Sequence, residues 1–168
     1  MYQIGQRVVY GVHGVCCVTD LEERVIDRKK VTYLVLEPVG QGSARFLVPT
    51  HNAAAMSKLH AMLTPEELEA LMVSETVRKD MWVREDNARK MLYRELISSG
   101  DRERLLQMVY TLYLQKARNA QTGKRMHLCD DNFLRDAEKL LVDEIAVVLD
   151  LEPEAAKKYI RNKLKEDA

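Results

Sequence analysis

His127, Cys129 and Asp130 place a base, a thiol and a carboxylate close together, and these are the groups of nucleophilic catalysis. The members of a working triad meet by folding from separate parts of a chain, and residues this close in sequence do not make a convincing one. A hydrolase that uses His127 and Cys129 is therefore the weakest hypothesis that the sequence offers. We predict that the protein is not an enzyme.

Other residue types that could do chemistry also lack the spacing that cofactor or metal sites require. The sequence has no Walker loop, glycine fingerprint, HExxH or GxSxG motif, and its 4 histidines have no metal-ligand spacing. Cys16, Cys17 and Cys129 form no CxxC motif, and an odd number of thiols cannot all pair. We expect free, buried cysteines, no cofactor, no metal and no small-molecule substrate.

Trp82, the only tryptophan, lies in a segment whose charge differs from that of its flanks. Residues 76–125 contain 12 Lys and Arg against 6 Asp and Glu, whereas residues 61–75 and 126–168 are acidic. This pattern favours an anionic partner, although solvated helix faces produce it equally well. Trp82 is then either the core anchor of a helix or an exposed wedge that stacks on a base or enters a duplex step.

Residues 1–60 predict a small β module, because short β-branched and aromatic runs alternate with turn residues. The predicted strands are residues 7–10, 15–21, 31–36 and 44–48, with turns at 11–14 and 27–30 and a short helical exit at 51–56. A module of this size is marginally stable, so we expect it to lean on the rest of the chain or on a partner.

Residues 61–168 predict an all-α bundle. Thr64, Pro65 and Glu67 form a capping-box pattern that starts a helix ending near residue 74. Further helices, each with apolar residues at helical spacing, are predicted to begin at Asp80, at Asp101, at Asp130 or Asp131, and at Pro153. The chain is thus predicted to be an α+β protein of two modules.

Cellular location follows from two further features of the 168-residue sequence. No apolar run approaches the length of a bilayer span. The first residues do not form a charged leader followed by an apolar core, as an export signal does. We therefore expect a cytoplasmic protein that has no membrane partner.

Three stretches of the β module resemble a known family in their order and residues. They are residues 5–15 (GQRVVYGVHGV), 33–36 (YLVL) and 48–53 (VPTHNA), and the similarity continues through Trp82 and residues 137–144 (AEKLLVDE). This set resembles the CarD/CdnL family of bacterial transcription regulators, whose N-terminal module is shared with the polymerase-interacting domain of transcription-repair coupling factor. The resemblance implies a Tudor-like or SH3-like barrel followed by a helical domain.

The resemblance implies that the barrel docks on the β subunit of RNA polymerase through pairing of an edge strand. Arg24 matches a family arginine at this contact. Leu47 stands where the family has a second arginine, and Arg45, two residues earlier on the same strand face, is expected to substitute for it. Pro49 closes this strand and belongs to the same predicted polymerase-binding set.

The resemblance also implies that the helical domain contacts promoter DNA, weakly and with little sequence preference, at the upstream edge of the transcription bubble. Trp82 corresponds to the family tryptophan that wedges into the minor groove, and Arg84 matches a neighbouring basic residue. Glu85 and Asn87 stand where family members often carry cations. The predicted DNA-binding set is Trp82, Arg84, Arg78, Lys79, Arg89 and Lys90.

Two classes of function remain open at this point. The first is a regulator that binds RNA polymerase and stabilises the open promoter complex through the tryptophan wedge and nearby cations. The second is a protein–protein adaptor whose barrel binds polymerase or another partner without DNA contact. A buried Trp82 would favour the adaptor.

Overall fold

The computed structural model describes residues 1–40 and 42–165. This part of the chain contains five β-strands followed by helices, with one short helix between the last two strands. The chain divides into two compact units, Met1–Met62 and a second that begins at Leu63. The predicted α+β fold, an antiparallel barrel-like sheet module followed by a helical part, is confirmed.

The first unit is an antiparallel sheet with strand order β4-β3-β2-β1-β5. Its elements are β1 (Arg7–Tyr10), β2 (Val15–Ile26), β3 (Lys29–Pro38), β4 (Phe46–Pro49), α1 (Ala53–Met56) and β5 (Leu59–Ala61). The buried core of this unit consists of Val8, Cys16, Val18, Leu34, Leu36, Val48 and Leu59. β4 and β5 are the edge strands, and β5 is not predicted by the sequence pattern.

β2 and β3 form a long hairpin that turns at two residues, Asp27 and Arg28. Both have positive φ, 51° and 64°, which suits the tight hairpin turn whose twist matches that of the strands. β2 continues to Ile26, beyond its predicted end at residue 21, because its outer half pairs with β3 although its side chains are largely exposed. The hairpin therefore carries a solvent-facing surface in which charged side chains are mixed with the exposed Leu21, Val25 and Ile26.

The second unit packs its helices around α4. The helices are α2 (Pro65–Met72), α3 (Asp86–Ser99), α4 (Arg102–Gln121), α5 (Leu128–Val148) and α6 (Pro153–Lys165). α4 contacts the other four, and its residues Leu106, Met108 and Leu112 are completely buried. None of the helices described is both long enough and apolar enough to cross a membrane.

Side-chain caps fix where two of these helices begin, as the sequence predicts. Thr64 Oγ1 accepts a hydrogen bond from the Glu67 amide at 3.1 Å, and the Thr64 amide donates to Glu67 Oε2 at 2.9 Å. Asp101 caps α4 by accepting from the Arg104 amide at 3.2 Å. The buried Glu144 carboxylate on α5 also accepts from the Leu63 amide at 3.0 Å, which ties the start of the unit to its core.

Two predicted helix starts were wrong. Asp80 begins no helix, because its carboxylate accepts from the Trp82 amide at 2.9 Å and shapes a turn instead. Residues 73–85 are irregular, and α3 begins at Asp86. α5 begins at Leu128 rather than at Asp130 or Asp131.

Candidate functional site

Glu22 joins the two predicted arginines of the sheet unit. It accepts from Arg24 Nη2 at 3.0 Å and forms an ion pair with Arg45, which precedes β4. Arg24 also lies 5.8 Å from the centroid of the Tyr33 ring. The hydrogen bond from Arg24 and the charge of Arg45 hold the pKa of the Glu22 carboxyl below its usual range. The two arginines are half exposed, so this cluster presents an excess of positive charge to solvent.

The backbone of the edge strand β4 is positioned for pairing with a further strand. The Thr50 amide donates to the Thr32 carbonyl at 3.0 Å, which fixes the direction of the ladder to β3. Because hydrogen bonding alternates along an antiparallel strand, the amide and carbonyl of Leu47 point away from β3. Pro49 occupies an equivalent outward position, where an edge strand tolerates the lack of an N–H.

The side chains of the four predicted polymerase-binding residues share one face of the sheet. Tyr33 on β3 pairs with Pro49 on one side and with Glu22 on the other, so these three side chains are neighbours across the strands. Leu47 and Pro49 are both half-buried. The structure thus brings Arg24, Arg45, Leu47 and Pro49 together, and their contact with polymerase stays a prediction.

Trp82 lies in the irregular segment between α2 and α3 rather than at the start of a helix. It is half-buried and packs against the edge of the helical core. The Arg89 guanidinium covers one face of the indole, with its central carbon 4.3 Å from the ring centroid, which is within the range of a cation–π contact. Trp82 is therefore neither a deep core anchor nor a fully exposed wedge.

Three side chains of α4 hold the segment around Trp82 in place. The contacts join Gln107 Nε2 to the Lys79 carbonyl (3.1 Å), the Met81 amide to Thr111 Oγ1 (3.0 Å) and Arg118 Nη1 to Asp80 Oδ2 (2.8 Å). Gln107 and Thr111 are themselves buried. The irregular segment is thus fixed by the central helix of the unit.

Arg89 does not have the position predicted for a DNA contact. It is only 2% exposed, and its Nε and Nη2 atoms donate to the two carboxylate oxygens of Asp130 at 2.9 and 3.0 Å. A guanidinium buried in this way does not present its charge to a phosphate. Instead, its guanidinium packs against one face of the Trp82 indole.

Arg78 is also engaged within the helical unit. Its Nη2 atom donates to the carbonyls of Met72 at 3.2 Å and Lys163 at 3.0 Å, which lie near the C-terminal ends of α2 and α6. An arginine at such a position satisfies carbonyls that have no partner within their own helix. The structure therefore assigns Arg78 a role in packing as well.

The remaining predicted DNA contacts lie nearer to solvent. Lys79 and Arg84 are exposed and Lys90 is half-buried. Glu85 is the N-cap of α3 and accepts from the amides of Asn87 at 3.0 Å and Ala88 at 2.6 Å. Phosphate contacts around Trp82 therefore depend on Lys79, Arg84 and Lys90, and these stay predictions.

Asp130 and His127, two of the residues considered for catalysis, each have a structural role instead. Both oxygens of Asp130 accept from Arg89, and His127 is the N-cap residue of α5. Cys16, Cys17 and Cys129 are free thiols, and burial, together with the neighbouring Cys17, raises the pKa of Cys16 to about 11. Among residues 1–40 and 42–165, no three His, Cys, Asp or Glu side chains group as metal ligands.

The sheet unit combines an edge strand with two half-exposed arginines that share Glu22, and the helical unit has a half-buried tryptophan. These features are typical of a protein that binds partners through two units. Comparison with known families shows that residues 2–60 match the CarD-like/TRCF RID domain. The sheet unit thus matches the RNA polymerase-interacting domain that CarD-like proteins share with TRCF. The chain is therefore an RNA polymerase-interacting, transcription-related protein.

Proposed function

We propose that the protein binds the β subunit of RNA polymerase through the β4 edge and stabilises the open promoter complex through Trp82. The polymerase contact is supported by the family match at residues 2–60 and by the outward-facing backbone of Leu47. The observation that carries the DNA contact is the half-buried indole, supported on one face by Arg89 and bordered by exposed cations.

The polymerase contact uses strand addition. Main-chain hydrogen bonds from Leu47 supply affinity, and side chains beside the edge supply selectivity. Arg24 and Arg45 favour an acidic partner surface, which would compete with Glu22 for their guanidinium groups. An acidic strand of the β subunit is the partner that fits this edge.

Trp82 acts by a difference in contact between two states of the promoter. An indole stacked at the upstream edge of the bubble stabilises the melted form and has no equal contact in the closed duplex. Base–aromatic stacking contributes about 1–3 kcal/mol. Since about 1.4 kcal/mol is a factor of ten, one ring changes bubble lifetime by about fivefold to somewhat over a hundredfold, and no catalytic group is needed.

Binding to free DNA should be weak, because few of the cations near Trp82 in the sequence are available for phosphates. Lys79 and Arg84 are exposed, whereas Arg78 and Arg89 are engaged inside the unit. Each missing phosphate contact reduces both affinity and its dependence on salt. Attachment to polymerase compensates by raising the local concentration of the helical unit at the DNA.

The decisive experiment compares open-complex lifetimes with the wild-type protein and with Trp82→Ala. We expect the variant to copurify normally with polymerase and to shorten the lifetime by about fivefold or more, because the stacking contact is lost. Trp82→Phe keeps an aromatic ring and should retain part of the effect. An unchanged lifetime with folded Trp82→Ala would show that Trp82 does not act on the bubble.

The engagement of Arg78 and Arg89 within the helical unit also favours the second candidate, an adaptor that binds polymerase without DNA contact. Crosslinking of promoter DNA to the polymerase-bound protein separates the two functions. Crosslinks at Trp82 and Arg84 support the regulator. Crosslinks to polymerase alone, with none to DNA, support the adaptor.

A further inference from the structure

Arg89 meets as many acceptors as its guanidinium has N–H donors. Its partners are Asp130 Oδ1 (2.9 Å) and Oδ2 (3.0 Å), Asp86 Oδ1 (2.8 Å), and the carbonyls of Val83 (2.9 Å) and Arg84 (3.4 Å). The bidentate pair with Asp130 is almost completely buried, at 3% and 2% exposure of the two side chains. The plane of the guanidinium is therefore fixed by contacts from α3, α5 and the irregular segment.

Two hydrogen bonds, one from Arg89 and one to Asp80, hold the backbone on either side of Trp82. On its N-terminal side, the Trp82 amide donates to Asp80 Oδ1 at 2.9 Å. On its C-terminal side, the Val83 carbonyl accepts from Arg89 Nη1 at 2.9 Å. The guanidinium also lies over the indole, with its central carbon 4.3 Å from the ring centroid, so Arg89 holds both the ring and the backbone that follows it.

We propose that Arg89 and Asp130 are positioning residues that fix the orientation of the Trp82 indole for contact with DNA. The last part of this inference rests on the proposed function. Asp130 acts through Arg89, which it orients by a bidentate ion pair, and Arg89 acts through the ring and the carbonyls that follow it. Neither residue needs to touch DNA.

The physical benefit is that the ring is ordered before it meets its partner. A free aromatic side chain loses rotamer freedom on contact, and this loss lowers affinity. The Trp82 ring avoids most of that loss, because the guanidinium of Arg89 already restricts its motion in the free protein. The exposed part of the ring is then what remains for contact with a base.

The sequence supplies a direct probe, because Trp82 is the only tryptophan. Its fluorescence anisotropy decay and its quenching by acrylamide report the motion and exposure of this one ring in the full-length protein. Two variants are compared with wild type. Arg89→Lys keeps the charge beside Asp130 but lacks the planar fork, and Arg89→Met with Asp130→Asn leaves no buried charge unpaired.

We expect a hindered indole in the wild type and an additional fast motion of the ring, on the picosecond to nanosecond scale, in both variants. Circular dichroism should show that helix content is kept. Arg94→Gln, at an exposed position of the same helix, is the matched control and should leave the decay unchanged. An indole that stays hindered in the folded variants would overturn the inference.

Open-complex lifetimes with the same proteins separate this inference from the proposed function. We expect both variants to shorten the lifetime by about two- to tenfold, the factor that corresponds to ordering one side chain on contact. If Trp82→Ala shortens the lifetime and the Arg89 variants do not, the positioning role in DNA contact is overturned. If the variants free the indole but neither they nor Trp82→Ala changes the lifetime, positioning is supported and the proposed function fails.

Discussion

Glu22 is the residue that organises the exposed arginines of the sheet unit. Its two pairs hold Arg24 and Arg45 at fixed positions beside the β4 edge, although the surface location makes each pair weak in itself. Because β2 continues past residue 21, the two-residue spacing of Glu22 and Arg24 places them on one face of the sheet. A partner carboxylate that binds these arginines therefore meets a preformed group of charges.

Reversal of charge at Arg24 should weaken polymerase binding. In Arg24→Glu, the new carboxylate lies beside Glu22, repels it and repels an acidic partner, so we expect reduced capture of the β subunit in a pull-down with purified polymerase. Arg7→Glu makes the same change of charge at an exposed position on β1 and should bind normally. Full binding by Arg24→Glu would remove Arg24 from the contact.

Tyr93 carries a hydroxyl that the core does not satisfy. The residue is completely buried, packs edge-on against Phe133 with ring centroids 5.6 Å apart, and its hydroxyl has no hydrogen-bond partner among the residues described. Burial also raises the pKa of Tyr93. We expect Tyr93→Phe to raise the free energy of unfolding by about 1 kcal/mol, because an unpaired buried polar group is removed.

Urea denaturation measures this change, with Tyr159→Phe for comparison. The Tyr159 hydroxyl donates to Glu69 at 2.7 Å, so its removal should be neutral or destabilise by about 0.5–1 kcal/mol. A lower stability of Tyr93→Phe would mean that its hydroxyl makes a stabilising hydrogen bond.

At the scale of elements, the N-terminal end of α3 accounts for the presence of Glu85, an acidic residue, close to Trp82. Glu85 accepts from the amides of Asn87 and Ala88, and a negative charge is favourable at the N-terminal end of a helix. A cation at the same position would bind phosphate better but would leave these amides without their acceptor. Local helix stability therefore opposes the additional phosphate contact that the proposed function would gain from a cation at this position.

Glu85→Lys should accordingly destabilise the helical unit by about 1 kcal/mol, since a cap is lost and a cation is placed at the positive helix end. Glu85→Ser restores a capping oxygen and should unfold close to wild type. Thermal unfolding followed by circular dichroism gives both values. Equal loss in the two variants would contradict the capping explanation.

Elements with local signals were predictable from sequence, and those fixed by distant contacts were not. The capping box at Thr64 and the cap at Asp101 act within one helical turn, so their residues suffice to locate α2 and α4. β5 has only three residues, too few for a pattern. An aspartate such as Asp80 can cap a helix or shape a turn, and its local sequence does not distinguish the two. Contacts from α4 stabilise the turn in the folded unit.

The same reasoning explains which part of the candidate site was missed. Arg89 looks like a surface cation, because nothing near it in sequence reveals that it is buried. Its partner Asp130 is 41 residues away and was considered only as a helix cap or a catalytic carboxylate. Trp82 was recognised as unusual from its charged neighbours, but its support by Arg89 exists only in the folded unit.

At the scale of the whole molecule, each unit has its own hydrophobic core, and β5 ends only a few residues before α2 begins. The proposed mechanism assigns polymerase binding to the first unit and bubble contact to the second. Covalent connection is then essential, because it converts a weak DNA contact into an intramolecular one at high effective concentration.

A protease site inserted between Met62 and Leu63 tests this requirement. After cleavage we expect the sheet unit to remain bound to polymerase and the lifetime effect to be lost at protein concentrations that saturate the uncut protein, since the helical unit then binds DNA on its own. The uncut insertion variant is the control. A flexible insert of about 20 Gly and Ser residues should give an intermediate effect, because effective concentration falls as a linker lengthens. Full activity of the cleaved mixture would mean that the helical unit finds the bubble without its anchor.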